Sequence, residues 1–371
     1  MIGTRQHSRF FGTIALASLL LAAGCGKADP NSPELSRNPI IYFCAPETKA
    51  LTNTAIGSTY DTGESFVAYA AFSEGEYDPN AAQPFQGFEP FWDGGACCTY
   101  DNIYRGWAPA EVYYWPDIGY LHFRAYSPAD APSPTAFSWA NGFTWNNFTV
   151  PDAGSQYDLL YSNLVTNCQR SNYTSEGNTY DDDPDYEFIY KGVNIRFSHA
   201  LCLIEVQACS ALGSYSSIKY YIQSVILRNA YSTGDFTNSN ESWTVNTGVK
   251  TDYTLLDLSH EGDPENRWRV LPGSDEYPVS VHPEVTLMLL PQELDRASDP
   301  AFSTSVDAYF QIVYKCSTDD VVRTTTVPLT DPWERGKKYT YKLVFSTDID
   351  FSASISAWDN DITYGSYLIV Q

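Results

Sequence analysis

Catalysis needs a nucleophile, an acid–base group or a metal held at fixed spacing, and these 371 residues offer few such arrangements. The histidines stand far apart, at His7, His122, His199, His260 and His282. None falls in the H-E-x-x-H spacing that sets two zinc ligands on one helix face. There is no G-x-S-x-G turn to lift a serine above a sheet, and no glycine loop to cradle phosphate or a dinucleotide. Ser198 and His199 are neighbours, but in a strand they point to opposite faces and cannot pair as nucleophile and base. His199 therefore reads as a core or interface histidine. Asp181, Asp182, Asp183 and Asp185 offer the oxygen donors that calcium takes, without the D-x-[DN]-x-[DN]-G pattern, and read as a solvated acidic loop. Carboxylates are numerous enough that counting does not exclude a glycosidase pair, though no particular pair is nominated. The expectation is no catalytic residue, no metal and no cofactor.

The legible covalent chemistry is at Cys25. Arg5 and Arg9 precede an apolar run from Phe10 to Ala23, which closes on Leu21-Ala22-Ala23-Gly24-Cys25. A basic start, a short apolar stretch and small residues before a cysteine are the marks of an export signal. The run is too short to span a membrane, which takes about 20 apolar residues. Its ending resembles a bacterial lipoprotein signal, in which cleavage leaves the cysteine acylated as the new N-terminus. Ala22 stands where leucine is usual, with Leu21 one step further back. Residues 1–24 are then a lipoprotein signal peptide and Cys25 the lipid attachment point. Two or more acyl chains would give stable membrane attachment. Residues 25–39, rich in Asn, Ser, Pro and Asp, bury no core and read as a tether.

Composition narrows the partners. The chain carries 22 Lys and Arg against 45 Asp and Glu, a formal charge of −23, and loss of Arg5 and Arg9 with the signal makes it more negative still. Such a polyanion is repelled by nucleic acid, so none is expected as a partner. Beyond Cys25 there remain Cys44, Cys97, Cys98, Cys168, Cys202, Cys209 and Cys316. An odd set leaves at least one thiol free or paired between molecules, the spacing is not that of zinc, and a structural, buried role is expected.

The elements that would position any site are strands. With 28 Tyr, 19 Phe and 9 Trp, frequent Gly and Pro, and no long window of helical periodicity, the chain reads as all-β, built of sandwiches. Expected strands include Ile40–Cys44, Ser65–Phe72, Glu111–Trp115, Tyr120–Tyr126, Tyr157–Tyr161, Val193–Phe197, Leu201–Val206, Tyr220–Leu227 and Lys338–Phe345. The acidic loop before Gly192 divides the chain into an N-terminal domain, 40–191, and a C-terminal domain, 192–371. Trp92, Trp107 and Trp115 read mainly as core packing, with flat faces for sugars as the alternative.

Several segments together resemble the fimbrillin family of Bacteroidetes lipoproteins. Tyr114-Trp115-Pro116, followed by Leu121-His122-Phe123-Arg124-Ala125-Tyr126-Ser127-Pro128, looks like its "YWP … F.AY.P" segment. Tyr157-Asp158-Leu159-Leu160 resembles the "DLL" strand that follows, and Val193 to Leu201 the "V.L.F.HAL" opening of the second half. Ile222 to Asn229, with Gly234 and Trp243, fits the next element. Trp333, Gly336, Tyr339, Tyr341 and Leu343, with Ile355 and Trp358, resemble the closing "W..G..Y.Y.L … I..W". The pieces occur in family order over nearly the whole mature chain.

That resemblance implies two tandem transthyretin-like β-sandwich domains and a non-enzymatic pilus (fimbria) subunit or surface adhesin on the cell outer membrane. Its partners would be other pilus subunits, the membrane through the lipid, and a glycan or protein adhesion ligand. In the family, a trypsin-like protease trims the lipoprotein and removes its first strand, opening a groove that a strand of the next subunit fills. Ile40–Cys44 matches the removable strand. Lys49 is a candidate cleavage site, and Arg37 an alternative that would release the lipid without opening the groove. Ile362, Tyr364, Leu368 and Val370 fall on one face of an extended segment and are the candidate donor strand. Four such side chains at about 2 kcal/mol each would contribute on the order of 8 kcal/mol before ordering costs. The alternative is that this segment completes its own domain. A glycan-binding surface lipoprotein that never polymerises is the second functional reading, and an exported hydrolase the third.

Overall fold

Alternating side chains dominate the longer segments, and each becomes a strand with one face in a core. In Cys202–Ser210 and Lys337–Phe345 buried and half-buried residues alternate almost throughout, as the two-residue period of a pleated strand requires. These two run parallel, from Leu203 opposite Lys338 to Ser210 opposite Phe345. The computed structural model describes residues 40–44, 47–48, 60–102, 106–169, 192–274, 278–281, 285–294, 303–305, 307–346, 349–358 and 364–366. Among these residues there is no α-helix, only two short 3-10 turns, Ala153–Ser155 and Pro264–Arg267.

The strands form sheets of nine, six, five and four members. The nine-stranded sheet centres on Tyr120–Ser127, paired on one side with Phe66–Ser73 and on the other with Leu160–Ser162. Its path continues from Phe66–Ser73 through Ala96–Asp101 to Gly106–Pro109 at one end, and from Leu160–Ser162 to Arg196–His199 and Glu47–Thr48 at the other. Arg196–His199, although it follows residue 191, thus belongs to the first sheet; the chain enters the six-stranded sheet only with Cys202–Ser210. The five-stranded sheet is built on Tyr220–Tyr231, flanked by Lys250–Asp257 and Tyr309–Cys316.

The four-stranded sheet joins the two halves of the chain. Its hairpin Ala136–Ser138/Gly142–Thr149 comes from the first half and Thr233–Thr237/Ser242–Val245 from the second, zipped together where Gly142–Thr149 meets Thr233–Thr237. Tyr161, Phe236, Trp243 and Trp145 pack beneath it in the larger core. A second core, with Phe43, Phe66, Trp107, Phe123 and Phe197, lies inside the nine-stranded sheet.

One local expectation changes and another holds. Glu111–Trp115 is not a strand: apart from a single bridge at Tyr114 its backbone is irregular, in keeping with the turn residues Pro109 and Pro116 on either side. Trp92, Trp107 and Trp115 are 4 %, 2 % and 2 % exposed, so all three are core residues and none offers a flat face to a ligand.

Of the seven described cysteines, Cys97 is exposed, Cys44 half-buried and the others buried. Burial pushes the Cys98 and Cys202 thiols well up, which withdraws the reactive thiolate. Ellman's reagent on the native mature protein is therefore expected to find a fast-reacting thiol at Cys97. Cys97→Ser should abolish that phase, and a retained fast phase would contradict the burial described.

Candidate functional site

Ile40–Cys44 is the segment whose packing departs most from that of an ordinary strand. Ile41, Tyr42 and Phe43 are 0 %, 3 % and 0 % exposed, so both faces of this stretch are buried. Phe43 sits edge-on to Phe66 at 5.3 Å and to Phe123 at 5.5 Å. Tyr60 closes the same space, stacked on Phe197 at 5.9 Å and edge-on to Trp107 at 5.3 Å. Its hydroxyl donates to the Ser65 carbonyl at 2.8 Å and lies 2.6 Å from Ser127 Oγ. Burial holds that phenol well above its usual range.

The backbone is tied along both edges. On one side the Phe43 N–H donates to the Trp107 carbonyl at 2.8 Å, the Trp107 N–H returns to Phe43 at 2.9 Å, and the Ile41 N–H reaches the Tyr113 carbonyl at 2.8 Å. On the other, the Cys44 N–H donates to the Val193 carbonyl at 3.1 Å and the Val193 N–H to the Tyr42 carbonyl at 2.9 Å. Trp107 belongs to one end of the nine-stranded sheet, and Val193 leads into the strand near its other end. The segment, continued by Glu47–Thr48 against Arg196–His199, therefore closes that sheet upon itself.

Two glycines make the approach close enough. A Cβ on Gly106 would come within 2.4 Å of the Phe43 carbonyl oxygen, and one on Gly192 within 2.4 Å of the Cys44 nitrogen. Both clashes are with backbone, which cannot swing away, so these positions admit no larger residue without moving the segment. Composition alone did not mark these glycines or Trp107 as groove walls. The available signal was an isolated glycine heading an extended run, which points to close backbone approach.

Cys25, Arg37, Lys49, Ile362, Leu368 and Val370 lie outside the described residues, as do Asp181, Asp182, Asp183 and Asp185. Tyr364 is in the strand Tyr364–Ser366, whose backbone pairs antiparallel with Ala353–Ile355 of the same chain, Tyr364 opposite Ile355.

No reactive constellation accompanies the groove. Among the described residues, no three His, Cys, Asp or Glu side chains converge as metal ligands would. His199, 5 % exposed, holds its Nδ1 2.6 Å from Asp158 Oδ2 and stacks on Trp358 at 3.9 Å. Arg335 caps the same corner, donating to the His199 carbonyl at 3.0 Å and to Glu241 at 2.5 Å. This cluster fastens the strand Arg196–His199 to the second half of the chain.

A family model described as fimbrillin-like matches residues 98–358, more than half of the chain. The chain belongs to the fimbrillin-like family. As a member of that family it is not an enzyme. A fimbrial protein from Bacteroides vulgatus shares the fold at a TM-score of 0.55 and 14 % identity, over 86 % of this chain and 100 % of that one. Cell adhesion proteins from Bacteroides uniformis and Bacteroides ovatus align at TM-scores of 0.47, with 14 % and 11 % identity, over 86 % and 87 % of this fimbrillin-like chain and 99 % of each of theirs. No curated protein is similar enough to match.

Proposed function

We propose that this fimbrillin-like chain is a surface fimbrial subunit or adhesin, carried to the outer membrane as a lipoprotein through Cys25. Residues 40–191 and 192–371 are read as tandem transthyretin-like sandwiches, the first keeping the strand Arg196–His199. Proteolysis after Lys49 releases lipid, tether and the segment Ile40–Cys44 together, whereas cutting at Arg37 releases the lipid without opening the groove. The vacated groove then accepts a strand from another subunit.

The observation that carries this reading is the segment Ile40–Cys44, buried on both faces and hydrogen-bonded along both edges. Its departure leaves two rows of unpaired backbone groups around apolar pockets, which is what strand addition requires. The segment from Ile362 to Val370 is the donor. The pairing of Tyr364–Ser366 within its own sheet favours a subunit that retains this strand until assembly, or a tip or anchor subunit that accepts without giving.

Limited trypsin digestion of the purified mature protein tests the proposal. A defined N-terminal trim to Ala50, followed by detergent-resistant ladders, is expected. Lys49→Gln should abolish both at matched protease, as judged by N-terminal sequencing. Clean trimming that yields only monomer would exclude a stalk role and favour the non-polymerising adhesin.

A further inference from the structure

Arg124, on the outer face of the strand Tyr120–Ser127, carries a charge that no described carboxylate answers. It is 9 % exposed, and a guanidinium has five N–H donors to satisfy. Nη1 donates to Asn238 Oδ1 and Nη2 to the Trp139 carbonyl, each at 3.2 Å. The buried Nε meets no acceptor, and no ion pair forms with any described carboxylate. Burial pulls the group down to about 10, opposed by the phenol of Tyr77 and not by an acid. In a chain with 45 Asp and Glu, a buried cation serving structure alone would be expected to face one of them, because an unpaired buried charge is costly.

The surroundings are built for this arginine. Gly142 adopts φ +68°, and a Cβ there would lie 2.0 Å from Asn238 Oδ1 and 3.0 Å from Arg124 Nη1. Asn238 is itself buried, and its Oδ1 also accepts from the Phe143 N–H at 3.4 Å. Tyr69, the cross-strand partner of Arg124, begins a row of half-buried rings. Phe137 follows at 4.3 Å, Trp139 at 5.2 Å, Phe88 at 5.7 Å, Phe85 at 5.5 Å and Tyr77 at 5.3 Å, each measured from the ring before it. The row thus starts and ends beside the arginine, and Trp139 supplies one of its two acceptors.

We propose that Arg124 and this aromatic row form a recognition site for an acidic sugar, a pyranose bearing one carboxylate. The guanidinium fork matches a carboxylate, which would supply the absent counter-ion, and the C–H face of the ring would lie against Trp139 or Phe88. A sparsely charged glycan fits better than a polyanion, which a chain of formal charge −23 repels. This assignment deepens the adhesion half of the proposed function and rests on it, without requiring strand exchange.

The test uses the mature full-length monomer, with 3′-sialyllactose and glucuronic acid as probes and lactose and sodium acetate as controls. Melting temperature and tryptophan fluorescence are the readouts. Saturable binding of an acidic sugar is expected, at least about tenfold tighter than lactose or acetate. Arg124→Gln should erase the preference for acid over neutral sugar while leaving the melting temperature equal or higher, since the unanswered charge is gone. Trp139→Ala should weaken sugar about tenfold and leave acetate unchanged. Absence of saturable binding to either acidic sugar, or binding indifferent to Arg124→Gln, overturns the proposal. Acetate binding as tightly as the sugars, or a peptide binding more tightly through a free C-terminal carboxylate, overturns the sugar assignment. Because binding is read on the monomer, a failure to trim or polymerise leaves this result standing.

Discussion

Gly192→Val is expected to expel the segment Ile40–Cys44 from its groove while the rest of the protein stays folded. The wild-type hydrogen already sits where a Cβ would lie 2.4 Å from the Cys44 nitrogen and 2.8 Å from the Phe43 carbonyl carbon. Relief must come from the segment, because Val193 and Ile195 are fully buried in the core and lead into Arg196–His199, which pairs with Leu160–Ser162. Ile41, Tyr42 and Phe43 are each worth about 2 kcal/mol of burial. Its five backbone hydrogen bonds add about 1 kcal/mol each and ordering five residues costs about 1–2 kcal/mol each, so a loss of about 1–6 kcal/mol in urea unfolding is expected. The same variant should be trimmed by trypsin near Lys49 many times faster than wild type, and Gly106→Val should behave alike from the opposite edge. Wild-type trimming rates in both variants would mean that the groove tolerates an occupant of different shape.

Acidification should weaken the protein through His122. This imidazole is fully buried, stacked on Phe88 at 4.0 Å. Its Nδ1 accepts from the Asn167 N–H at 3.3 Å, so Nε2 carries the proton and faces Ser73 Oγ at 2.8 Å. Ser73 Oγ in turn donates to the Gly75 carbonyl at 2.6 Å. Every position is filled by the neutral ring, and burial lowers its pKa from 6.5 to about 4. The unfolded chain therefore takes up a proton first as pH falls. The contribution of His122 is fully present above about pH 6.5, declines between 6.5 and 4, and is gone below 4, a loss of about 3 kcal/mol. Urea titrations at pH 7.5 and 4.0 measure the difference, and His122→Gln should remove most of it. An unchanged pH dependence in that variant would assign the acid sensitivity elsewhere.

Much of the fold was readable because the longer strands obey the two-residue period. Phe66–Ser73, Tyr120–Ser127, Cys202–Ser210, Tyr220–Tyr231 and Lys337–Phe345 all fall where apolar and aromatic alternation placed them. Gly142–Thr149, Thr233–Thr237 and Ser242–Val245 escaped notice. They carry Asn, Thr, Ser and Gly in place of a steady apolar alternation, and Gly142–Thr149 and Thr233–Thr237 draw their order from pairing across nearly a hundred residues, which no local pattern records. Ile40–Cys44 was conspicuous as an apolar run between prolines, but its partners were not. Trp107 and Val193 are distant in sequence, and Gly106 and Gly192 matter for what they lack. Arg124 lay in plain view within the resembling segment, yet only burial, and the missing acid beside it, make it unusual.

The four-stranded sheet shared by the two halves of the chain has a mechanical consequence. Two beads strung on a linker would pivot at the linker, and pulling them would straighten it first. Here Gly142–Thr149 and Thr233–Thr237 lie side by side as a rivet between the two halves of the chain. A filament of such units would flex at its couplings, each monomer behaving as one stiff unit that passes tension along without stretching.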